Sequence, residues 1–127
     1  MMKNPRDTYL AASVSTASPA QLLVMLYERL SLDLQRATAS LAADDPAAAH
    51  EPLMHAQDIV LELHASLRPD TWAGGPALAS LYDYLVRELV AANVHKDHET
   101  AKHCLGLAND LRDTWRQAAG SLLPVPA

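Results

Sequence analysis

Six histidines, one cysteine and fifteen acidic residues are the side chains of this 127-residue chain with the most obvious chemistry. A carboxylate-bridged di-iron centre in a helical bundle needs Glu-x-x-His on two helices, with all ligands facing inward. Here Glu51 and His55 are four apart, Glu99 and His103 four apart, and Glu62 and His64 two apart, so no pair has that spacing. A c-type haem needs Cys-x-x-Cys-His, which a single cysteine forbids. Cys104 falls in a row with Ala101 and Ala108, the place of a small core residue rather than of an exposed thiolate nucleophile. The densest donor set is His95, His98, Glu99 and His103. Imidazole and carboxylate together suit a transition-metal ion, but His98 and His103 are five apart and diverge on a helix. The set reads as a solvated histidine-rich turn, with a metal-binding or enzymatic bundle built on it kept as the alternative. His50 and His55 read as surface residues, and His64 as a neutral, hydrogen-bonded residue at the edge of an apolar stripe. No catalytic set, metal or cofactor is expected.

The elements behind these residues are helices. Ser18-Pro19-Ala20-Gln21 is a capping box, with Ser18 and Gln21 each able to accept from the other's amide and Pro19 at the first helical position. Leu22, Leu26, Leu30, Leu34, Ala37 and Leu41 then recur at spacings of three and four, which predicts a helix from Pro19 to about Ala43. Asp44-Asp45-Pro46 makes a turn, with Asp45 capping the second helix. Pro52 removes a hydrogen bond and crowds the carbonyl of Ala48, so a loose opening turn and a kink are expected before a regular helix from about Leu53 to Leu67. Its stripe is Leu53, Ala56, Val60, Leu63 and Leu67. Gly74-Gly75-Pro76 reads as a flexible loop. A third helix from about Ala77 to Val94 carries Leu78, Leu81, Tyr82, Leu85, Leu89 and Ala92 on its core face. Asp97 caps a fourth, with stripe Ala101, Cys104, Ala108, Leu111, Trp115 and Ala118. The expected class is all-α: an antiparallel four-helix bundle over residues 18–119, an extended arm at 1–17 and a disordered tail at 120–127.

Composition narrows the function. Leu and Ala dominate, Phe is absent, and ten basic against fifteen acidic residues give a net charge of −5. That sign disfavours a phosphate-tracking surface, so no nucleic acid is expected. No apolar run reaches the length of a membrane span, and no signal peptide opens the chain. With a lone cysteine, the chain reads as cytoplasmic. Apolar residues remain once the stripes are assigned: Met25 and Leu32, Met54 and Leu61, Val86 and Val90, with Tyr84 on the other side of the third helix. Together they offer an apolar surface to a partner helix.

Several stretches taken together are more specific. Thr16-Ala17-Ser18-Pro19 with Met25-Leu26-Tyr27 resembles the opening of the flagellar secretion chaperone family FliS. Ala56-Gln57-Asp58-Ile59-Val60 is similar to the family's second helix, and Leu81-Tyr82-Asp83-Tyr84-Leu85 with Ala92-Asn93 to its third. Leu111-Arg112-Asp113-Thr114-Trp115-Arg116-Gln117-Ala118 looks like its fourth. The likeness runs from about Asn4 to Ala119 in the same order. Arg6 stands where the family often has an apolar or aromatic residue, and Pro52 where relatives carry helix formers. The resemblance implies a cytoplasmic chaperone that binds the C-terminal segment of flagellin, prevents early polymerisation and delivers it to the cytoplasmic domain of the flagellar export gate. The client surface expected here is Met25, Leu32, Met54, Leu61, Tyr82, Tyr84, Val86, Val90 and Asn93. The resemblance also implies a gate-handling arm around Tyr9, Leu10 and Val14. A monomer or weak homodimer is expected, and an adaptor for another secreted helix is the remaining alternative.

Overall fold

The computed structural model describes residues 18–122. Four helices follow in order: α1 (Pro19–Ala42), α2 (Pro46–Ser66), α3 (Gly75–His95) and α4 (His98–Leu122), with one short 3-10 turn at Pro69–Thr71. The capping box at the start of α1 is formed: Ser18 N–H donates to Gln21 Oε1 at 2.9 Å, and Gln21 N–H to Ser18 Oγ at 3.2 Å. Asp45 caps α2 by accepting from the Ala48 amide at 3.3 Å. Asp44 and Lys96 take left-handed backbone (φ 60° and 51°), turning the chain sharply between α1 and α2 and between α3 and α4.

α2 departs from expectation. It is helical from Pro46 and continues through Pro52, with no loose opening turn. The Asp45 cap and the fully buried Ala49 hold the first turn. Pro52 removes one ladder bond, a loss of about 3 kcal/mol that tertiary packing of α2 offsets. The presumed glycine loop is also more ordered than expected. Gly75 is buried as the first residue of α3, and a Cβ there would lie 2.2 Å from the Pro69 carbonyl oxygen. At the other end α4 runs to Leu122, past the expected end of the bundle at 119.

α1 packs against α2 and α4, and α3 against the same two, so the four helices form a square bundle. Tyr27, Leu30, Leu34 and Ala37 meet Leu53, Ala56, Val60 and Leu63, then Tyr82, Leu85, Leu89 and Ala92, then Ala101, Cys104 and Ala108. Two polar residues of α1 flank this core. Ser31 donates to Asn109 Oδ1 and accepts, at 3.2 Å, from Arg112 of α4. Asp33, also buried, lies 3.5 Å from Arg29 and receives His55 of α2. A buried carboxylate needs such partners, because leaving it unpaired is strongly destabilising. His55, expected as a plain surface residue, is thus a tie between α1 and α2.

Candidate functional site

The core faces of α2 and α3 leave a row of side chains along the seam between these two helices. Two contacts fix its register. His50 Nδ1 lies 3.2 Å from Asn93 Oδ1 near one end, and His64 Nε2 lies 3.0 Å from Asp83 Oδ1 near the other. In antiparallel helices with those pairings, Met54 comes opposite Val90 and Leu61 opposite Val86. Met54, Leu61 and Val90 are 41%, 53% and 43% exposed, while Val86 is half-buried against the core. Leu61 and Val86, with Ala65, form the apolar lining of an open depression of about 360 Å³ whose polar lining is His64, Asp83 and Arg87. The seam is a groove with an apolar floor and polar clamps at its ends. Such a surface has the composition that can receive an apolar helix face.

The expected surface does not form one patch. Leu61 and Val86 line the α2/α3 depression, the register sets Met54 and Val90 further along the same seam, and Asn93 lies at its end, its amide oxygen accepting from Lys96 as well as meeting His50. Tyr84 sits on the opposite side of α3, its hydroxyl 2.9 Å from His103 Nε2 of α4. Met25 and Leu32 lie elsewhere again: Ser31 turns to α4 and Asp33 to α2, so Leu32 between them faces outward, with Met25 two turns away. Tyr82 is corrected outright. It is 2% exposed, and its hydroxyl meets that of Tyr27 inside the core, which removes it from any client surface. Burial above all raises the pKa of both phenols, and that of Tyr27 well above the usual tyrosine range. Tyr9, Leu10 and Val14 lie outside the described residues.

The histidine-rich turn does not converge. His98 Nδ1 lies 3.2 Å from Glu99, while His103 is turned to Tyr84. Among the described residues there is no group of three or more His, Cys, Asp or Glu that could hold a metal ion. Cys104 is fully buried, and desolvation, aided by Glu88, pushes its thiol up to about 12, the reverse of what a nucleophile needs. Among the described residues no helix is long and apolar enough to cross a membrane.

Reading the stripes alone missed His64, Asp83 and Arg87 as the polar edge of the groove, and Val94, which is 70% exposed. Val94 was findable, since it follows Val90 by four residues on the same row.

The comparisons with known proteins bear on the family and the fold. Residues 2–122 match the model of the family described as flagellar protein FliS. The chain is 33% identical over 120 residues to the flagellar secretion chaperone FliS of Bacillus subtilis, covering 94% of this chain and 90% of that one. It is 34% identical over 110 residues to the protein of the same name from Salmonella typhimurium, covering 84% and 80%. A crystal structure of a flagellar chaperone from bacteria superposes with a TM-score of 0.73 at 22% identity, over 91% of this chain and 94% of that one, which supports the fold. With a family match over residues 2–122 and two curated relatives of that name at 33% and 34% identity, this chain belongs to the FliS family of flagellar secretion chaperones.

Proposed function

We propose that this protein is a cytoplasmic, non-enzymatic export chaperone whose client is the C-terminal segment of flagellin. The segment lies as a helix along the α2/α3 groove, over Met54, Leu61, Val86 and Val90, and the chaperone holds it without hydrolysing anything. A tail that is disordered alone loses chain entropy on binding and regains free energy by burying apolar area. Held this way, it cannot polymerise early. The arm around Tyr9, Leu10 and Val14 then hands the complex to the cytoplasmic domain of the flagellar export gate. Nucleic acid and direct membrane insertion play no part, and the chaperone acts as a monomer or weak homodimer.

The observation that carries this reading is the exposed apolar row of the groove, on a chain of this family. Co-expression with the flagellin of the same host tests it. A stable complex should form with the full-length flagellin and be lost when the flagellin C-terminal segment is deleted. A complex that survives that deletion would move the client site to another part of flagellin. No complex at all would favour an adaptor for a different secreted helix.

A further inference from the structure

At the end of the bundle where α1 begins and α4 finishes, two tryptophans make an aromatic corner. Trp115 of α4 is anchored, its ring stacked on Tyr27 with centroids 6.4 Å apart. Trp72, on the connection from α2 to α3, meets Trp115 edge-to-face at 6.5 Å and remains 46% exposed. The backbone of Gly74 supports it from below: a Cβ at that position would lie 2.2 Å from Trp72 Cζ3, so only glycine lets the indole lie there. Between the two rings opens a groove of about 290 Å³ walled by Trp72, Leu78, Leu111, Thr114, Trp115 and Ala118. Its one hydroxyl, that of Thr114, already donates to the Asp110 carbonyl of its own helix at 2.8 Å. An apolar groove lined by indoles is the kind of surface that binds an extended proline-containing chain.

We propose that the occupant is the chain's own C-terminal segment, Leu123-Pro124-Val125-Pro126-Ala127. Position favours it: α4 runs to Leu122, one turn past Ala118, which lines the groove. Pro124 disfavours helical backbone at Leu123 and favours an extended one. Reach is sufficient: five extended residues span about 15 Å at ~3.1 Å each. Ala118 and Trp115 lie only about 6 and 10 Å back along the helix at ~1.5 Å per residue. Composition matches as well. The segment has no charged or polar side chain to desolvate, and its prolines have little backbone freedom to lose. The groove is separate from the α2/α3 seam, so this docking does not depend on the client assigned above.

Both tryptophans of the protein wall this groove, so intrinsic fluorescence reports on it directly. Two variants of the full chain remove the occupant differently: a stop after Leu122, and Pro124→Ser with Pro126→Ser at unchanged length. In both, the acrylamide quenching constant should rise by up to about twofold as the exposed face of Trp72 is uncovered. Helicity and Tm should stay at the wild-type values. Deleting residues 1–17 should leave quenching unchanged. Unchanged quenching in both tail variants overturns the proposal. So does a rise seen on arm deletion and not in the tail variants, which would make the N-terminal arm the occupant.

Discussion

Replacing Met54 and Leu61 together with glutamine should separate client binding from folding. Both side chains are about half exposed, at 41% and 53%, so a bound helix covers roughly the remaining half of each. Fully burying such a side chain is worth ~1.5–3 kcal/mol, so the uncovered halves contribute about 1.5–3 kcal/mol for the pair. Lost together, they weaken the client's Kd by roughly 10- to 150-fold. Folding loses much less. Glutamine keeps two methylenes of the stem against the neighbouring helix, and such half-exposed sites change stability by about 0.5 kcal/mol each. The expected drop in Tm is a few degrees. Leu85→Ala, at a fully buried position, should instead cost about 2–5 kcal/mol. Calorimetry with a flagellin C-terminal peptide, run beside thermal melts of the three proteins, gives both numbers. A double variant that binds like wild type, or one that melts as low as Leu85→Ala, would refute the assignment of this row to the client.

Leu26→Ala should destabilise less than Leu85→Ala, because Leu26 is only half-buried; equal losses in urea titrations would show that the core is centred further out than described. Tyr27, Tyr82 and Cys104 have folded pKa values raised above 10.0, 10.0 and 9.0, so the stability they contribute is fully present below those values. It is lost as pH rises above them, by up to ~1.4 kcal/mol per group and pH unit. Denaturation at about pH 8 and about pH 10.5 should reveal the fall, and equal stability at both would contradict the burial of these groups. Tyr9→Ala should change affinity for flagellin modestly and reduce capture of the complex by the export gate's cytoplasmic domain; outright loss of flagellin binding would place Tyr9 in the client site instead. Zinc added to the purified protein should stay substoichiometric, since His98 and His103 point to different partners; a tight one-to-one complex abolished by His103→Ala would reinstate the metal reading.

Local signals carried the fold. The Ser18–Gln21 box and the Asp45 cap concern residues within a turn of one another and appear as read, as does the α1 stripe from Leu26 to Leu41, although Leu23 rather than Leu22 packs on the core. Signals that depend on a partner far along the chain were not legible. Asp33 looks like a solvated residue until His55, on the next helix, is brought to it. Tyr82 fitted both the core stripe and the client surface. Only Tyr27, from a helix away, decides between them. The apolar leftovers Met25 and Leu32 were correctly read as outside the core. Spacing within one helix, however, says nothing about which neighbour lies beside it, so they could not be separated from Met54 and Leu61. Gly75 was taken for slack, whereas its role depends on the close approach of Pro69.

The stacking of Tyr27 on Trp115 has a consequence for how the protein is made. It joins the first helix to the last, and α4 covers the same face of α1 that Ser31 turns toward. On the ribosome, Tyr27 emerges roughly 90 residues before its ring partner, an interval of about 4–18 s at ~5–20 residues per second. Throughout that interval the leucines of α1 have only α2, and later α3, to shelter them. A nascent chain stalled before α4 therefore exposes a sticky, half-built bundle, and the bundle can close only once the final helix has been translated.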